Sequence, residues 1–207
     1  MAANEVSVGK IEQMLDWAYD KSLNGIPGMD SAYEMAEGFL SKHDTADQAI
    51  DSLIRWQNTK AATSGFLTGL GGIIIMPVTL PANIASVMYV QVRMIAAIAH
   101  MKGYDLKDDQ VKTFVFVCLT GKSASDIFKS TGIKVGNAFA KQGVIKIPSK
   151  VIVAINQKVG FRLLTKFGEK GLINLGKAIP IAGGVIGGAV DGIGTGIIGK
   201  TAKKVFV

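Results

Sequence analysis

The chain has 207 residues, of which 48% are hydrophobic and only 19% charged, with one cysteine and a formal net charge of +7. This length suits one domain, or one domain with an appendage, built on a real core, and the lone Cys118 excludes an intramolecular disulfide framework. Residues 1–58 carry ten acidic and four basic side chains and residues 59–207 carry six and nineteen, so the two sections stand at about −6 and +13.

Only Arg55, Arg93 and Arg162 are arginines, so the basic section is a lysine surface. Lysines attract anionic lipid as point charges and lack the bidentate fork that reads bases, which argues against sequence-specific nucleic acid. Met1 to Lys10 contains one acid, one base and no apolar run, so it is not a secretory signal. The expected location is the cytoplasm, the cytoplasmic face of a membrane, or that of a delivered effector.

Three helices are predicted in the acidic section, residues 1–58. Val8, Ile11, Met14, Leu15, Ala18 and Leu23 form an amphipathic stripe that stops at Gly25, Pro27 and Gly28. Ser31 with Glu34, and Thr45 with Gln48, have capping-box spacing and open two further helices. The first carries Met35, Phe39 and Leu40, and the second runs through Ile50, Leu53 and Ile54 into an uncharged stretch.

No formal charge occurs from Ala61 to Val92, and Pro77 and Pro81 break this stretch into a hairpin spanning 61–102. Ala61 to Met76 is 16 residues, about 24 Å of helix, which falls short of the roughly 30 Å hydrocarbon core. The second arm, Ala82 to Met101, is long enough, yet Ser86, Tyr89, Arg93 and His100 place a polar stripe along it. A charged group in lipid costs about 2.5–3.5 kcal/mol, so Arg93 should face other helices. Asp105, Asp108 and Asp109 are its candidate ion-pair partners.

Gly103 can end that arm in the left-handed conformation, and Asp108 or Asp109 opens a helix through Leu119 that stops near Gly121. Helical periodicity returns over Ser123 to Gly143 and Ser149 to Lys170, where Lys158, Arg162 and Lys166 recur at four-residue steps as a basic stripe. The tail (180–199) holds eight glycines between Gly183 and Gly199. Glycine at Gly184, Gly188, Gly192 and Gly196 builds a flat face against which another helix can lie. Ala61, Gly65 and Gly69 repeat that spacing, so a clasp of the two faces is expected. The predicted fold is an all-α helical bundle, with residues 59–207 holding both the hairpin and the glycine-rich helix.

Covalent chemistry finds little support. Gly121-Lys122-Ser123 resembles the end of a phosphate-binding loop, but Phe116 stands where its first glycine belongs. The stretch from Gly194 to Gly199 matches a dinucleotide fingerprint with no surrounding βαβ unit. His43 and His100 are far apart, and Cys118 lies in an apolar run, so no metal, cofactor or catalytic residue is expected and the chain reads as a non-enzyme.

The sequence resembles the EcsC family of bacterial proteins through Gly65-Phe66-Leu67-Thr68-Gly69, Gly71, Gly72, Pro77, Leu80-Pro81, Gln91, Arg93, Ile98-Ala99 and Gly103-Tyr104-Asp105. A second match runs from Ile179-Pro180 through Gly184, Gly188 and Asp191 to Ile198-Gly199, Ala202 and Phe206. The resemblance implies an α-helical, membrane-associated bacterial protein with no catalytic activity to carry over. The first expectation is therefore a protein that associates with or inserts into membranes rich in anionic lipid. Gly65, Gly69, Pro77, Pro81, Gly184 and Gly188 would serve packing and insertion, and Lys158, Arg162 and Lys166 the surface. In its stronger form it is a pore-forming or membrane-perturbing effector that oligomerises on insertion. The alternative is a soluble helical module that binds a membrane-protein partner.

Overall fold

The computed structural model describes residues 7–62, 82–133, 147–167 and 186–207, with side chains described at all of these except 61–62, 82–83, 167 and 186–193. Helix α1 (Val8–Asn24) starts where the extended Ser7 accepts a hydrogen bond from the Lys10 amide, and it buries Ile11, Met14, Leu15 and Ala18. The Gly25 to Asp30 loop turns the chain into α2 (Ala32–Leu40). There the Ser31 hydroxyl accepts from the Glu34 amide at 3.2 Å and the Glu34 carboxylate accepts from the Ser31 amide at 2.8 Å. That reciprocal cap holds the Glu34 carboxyl below its ordinary range. At α3 (Ala46–Ala62) only half of the expected box forms, with the Gln48 amide donating to Thr45 Oγ1.

α4 (Ala82–Met101) is the central element. Its contacts run to α1, α2 and α3, then onward to α5 (Asp109–Leu119) and to the last helix, α8 (Ile186–Val205). Being enclosed on several sides, it has no charged face to present to water, which accounts for Arg93 being the only formal charge between Ile84 and Met101. Gly103, at φ +83°, ends it, and Asp108 caps α5 by accepting from the Gln110 amide at 2.7 Å.

Gly121 (φ +60°) then turns the chain sharply into a 3-10 turn, Gly121–Ser123, and α6 (Ala124–Ser130). The helix expected over Ser123 to Gly143 ends here instead. The Ile133 amide bonds back to the Phe128 carbonyl, with Gly132 left-handed at φ +75°, and this closes the helix end. α7 (Ser149–Phe167) lies on α1, α5 and α6, burying Ile155, Val159 and Leu163. Residues of each of the eight described helices join one buried cluster, so the acidic N-terminal helices share the core of the basic section. Among the described residues the protein is all-α, and its one β feature is an isolated bridge between Ile26 and Met29.

Candidate functional site

Among the described residues Arg93 is the most deeply placed charge, 2% exposed in the middle of α4. Its Nη1 donates to the backbone carbonyl of Asp30 at 2.9 Å, and its guanidinium carbon stands 5.7 Å from the centre of the Tyr89 ring. Burial pushes the guanidinium pKa down, while the neighbouring Tyr89 and Asp30 act against that shift. The ordinary value is so high that the group remains a cation.

The expected aspartate partners are replaced by the loop between α1 and α2, which folds back over α4. Asp105 and Asp108 instead accept bonds from the Lys107 and Gln110 amides of their own turn. Arg93 thus fastens a loop to the core helix. Replacing it by Met keeps much of the volume but strands the Asp30 carbonyl, and urea denaturation should show a loss of about 1.5 kcal/mol. A midpoint equal to the wild type would mean the bond contributes nothing.

The opposed charges of the two sections meet at the rim of the bundle, among exposed and half-buried side chains. Asp16 pairs with Lys112 at 2.7 Å, Asp47 with Lys102 at 2.6 Å and Asp51 with Lys203 at 2.8 Å, while Glu37 contacts His100 at 3.2 Å. The Lys102 hydrogen bond and its charge hold the Asp47 carboxyl below the ordinary range. The acidic helices α1 and α3 therefore pair, at the surface, with Lys102 just past α4, Lys112 of α5 and Lys203 of α8.

α8 lies antiparallel on α3 in the same register. A Cβ at Gly199 would stand 2.7 Å from Ile54 Cγ1, and one at Gly196 would stand 2.7 Å from Asn58 Nδ2, so glycine is what permits this approach. Thr195 of α8 accepts a bond from Gln91 of α4 at 3.4 Å. Tyr104, after α4, donates to the Val207 carbonyl at 3.0 Å and packs on Phe206. Cys118 is buried, and burial pushes its thiol pKa up, which opposes a nucleophilic role.

The outer side of α6, α7 and α8 differs in kind. On α7, Lys158 and Arg162 are exposed and Lys166 is half-buried, while the neighbouring row carries Val153 and Phe161, the latter 62% exposed. A groove of about 520 Å³ separates this row from α6, and across it Lys158 Nζ donates to Ser130 Oγ at 2.7 Å. A second groove, on the other side of α6, is rimmed by Lys122, Lys200 and Lys204. Among the described residues no carboxylate pairs with Arg162 or with these three lysines.

A family model described as the EcsC protein family matches residues 8–207. The chain belongs to the EcsC protein family. The match takes in the acidic helices α1 to α3 as well as the basic section. Over 146 residues this EcsC chain is 27% identical to a Bacillus subtilis (strain 168) protein described as the uncharacterized protein YdbA, covering 70% of this chain and 50% of that one. It thus spans about half the length of the curated relative it matches. No solved structure matches it.

Several of the EcsC motif residues acquire positions. Gln91, Arg93, Tyr104 and Gly199 each join α4 or α8 to a neighbour, as described above. Gly188 and Asp191 lie in α8 at positions whose surroundings are outside the described side chains, and Gly65, Gly69, Pro77, Pro81 and Gly184 lie outside the described residues. Of the partner face expected for the glycine tail, Ala61 lies in the last turn of α3 with its side chain undescribed, and Gly65 and Gly69 lie outside the described residues; over the described part α3 supplies Ile54 and Asn58. Sequence reasoning missed Phe161 and the lysines of α8. Phe161 alternates with the core positions Val159 and Leu163, and only the helix orientation shows that it faces out. Lys200 and Lys204 do carry a signal, a four-residue spacing beyond the last glycine.

Proposed function

We propose that this EcsC-family protein is a non-enzymatic helical module that attaches to anionic lipid surfaces, with α6, α7 and the end of α8 toward the membrane. One contrast carries the reading. Cations facing the acidic helices are paired with them, whereas Arg162, Lys122, Lys200 and Lys204 are unpaired among the described residues. Exposed Phe161 and Val153 stand in the same region. Exposed aromatic and aliphatic groups among cations are the pattern of an interfacial helix, and each well-placed lysine contributes about 1 kcal/mol at an anionic surface.

Attachment without insertion is favoured by the state of α4. Ile84–Met101 is long and apolar enough to cross a membrane, but 89% of it is buried inside the bundle. Inserting it would break its packing on five helices and the Arg93 bond to Asp30. Flotation with phosphatidylglycerol vesicles at low and high salt tests the proposal. Binding that weakens with salt, with no release of an entrapped dye, is the expected result. Absence of flotation at both salts would overturn it, and dye release would replace attachment by the insertion and pore reading.

A further inference from the structure

The groove between α6 and α8 has features that a general basic surface lacks. It encloses about 500 Å³, within the range of small-molecule sites. Lys122 comes from the turn before α6, and Lys200 and Lys204 stand one helical turn apart on α8. The floor is apolar, with Phe128 and Val205 buried and Ile197 half-buried. Ala124, Ser125 and Thr201 complete the lining, and no carboxylate is part of it. Gly121 holds the corner, because its positive φ swings Lys122 toward α8 and a Cβ there would already touch Ile197 at 3.4 Å.

Three ammonium groups facing one concavity repel one another and gain from a shared anion of more than one oxygen. Lysine meets such an anion as a point charge, which suits phosphate. Inorganic phosphate would leave the apolar floor wet, and an acidic peptide would lay unsatisfied backbone groups over it. An amphiphile with an anionic head and a hydrocarbon tail satisfies both parts.

We infer that this groove binds a single anionic phospholipid, its phosphate on Lys122, Lys200 and Lys204 and the upper part of a chain on Phe128, Ile197 and Val205. The inference rests on the membrane-attachment reading for the source of the lipid. It adds a defined site to what would otherwise be diffuse attraction.

Calorimetric titration of the full chain with dihexanoyl-phosphatidylglycerol below its micelle concentration tests it. Saturable binding at one site is expected. Lys200→Gln with Lys204→Gln should weaken it about 30-fold, as two lost lysine contacts imply. Ser125→Trp, which fills the groove mouth without changing charge, should weaken it by about tenfold or more. Lys129→Gln with Lys150→Gln removes the same charge elsewhere and should leave binding unchanged. Circular dichroism melts establish that each variant is folded, and the lysine pair keeps the test decisive if the tryptophan variant unfolds.

No binding of the short-chain lipid, or equal weakening in groove and control variants, overturns the site. Equal affinity for inorganic phosphate, or preference for an oligoglutamate peptide, also overturns it and assigns another occupant. Vesicle flotation without short-chain binding would remove the groove and leave membrane attachment standing. Short-chain binding without flotation would do the reverse.

Discussion

Replacing Gly199 by Leu is expected to lower the unfolding free energy by about 3 kcal/mol, read as a fall in the urea midpoint. The cause is local. Even the first added carbon would stand 2.7 Å from Ile54 Cγ1 and 3.1 Å from its Cδ1 and Cγ2. Ile54 is 5% exposed and has little room to swing away. The helices cannot easily separate, because Gly196 on Asn58 and the 2.8 Å pair between Lys203 and Asp51 fix the same antiparallel register. Gly199→Ala should cost far less, since alanine regains about 1 kcal/mol of helix propensity against a smaller clash. Ile54→Ala in the Gly199→Leu background opens the space and should restore about 1–2 kcal/mol, a coupling that independent sites do not show. A Gly199→Leu protein with the wild-type midpoint would remove the close packing of α3 and α8.

Reversing two charges on α7, Lys158→Glu with Arg162→Glu, should weaken binding to phosphatidylglycerol vesicles by about 30-fold or more at low salt. Two lost attractions of about 1 kcal/mol each give that factor, and the new carboxylates add repulsion. The gap should close as ionic strength rises, because the interaction is screened over about 8 Å at physiological salt. Both side chains are exposed, so the variant should melt close to the wild type. Lys203→Gln supplies the contrast. Its partner is Asp51 within the fold, and its loss should cost up to about 1 kcal/mol of stability and leave vesicle affinity intact. Equal vesicle binding by the α7 variant and the wild type would place the lipid contact elsewhere.

Much of the local structure was readable before any tertiary contact was known. The Ser31–Glu34 box, the breaker after Asn24, the Asp108 cap and the Gly103 stop all act within a few residues, where hydrogen-bond geometry depends on spacing alone. The helix at Ser123 was overextended because the back-bonding at Ser130 to Ile133 competes with an apolar period that continues past it. The Arg93 partner lay outside the three aspartates offered for it, for a different reason. Candidates were sought near it in sequence, and the actual acceptor is a backbone carbonyl 63 residues away, which no side-chain pattern signals.

The sequence by itself determined the all-α class, the EcsC membership, the division of charge and the glycine content of the last helix, because each is a matter of periodicity, motif or composition. Tertiary structure alone decided what those features are for. It made the apolar Ile84–Met101, with its single charge Arg93, an enclosed core helix and set the acidic helices against Lys102, Lys112 and Lys203 at the rim of the bundle. It also set Gly196 and Gly199 against α3. Among the described residues Lys122, Arg162, Lys200 and Lys204 of the outer face of α6 to α8 have no carboxylate partner, and only the orientation of helices in three dimensions determines which lysines meet a carboxylate and which meet solvent.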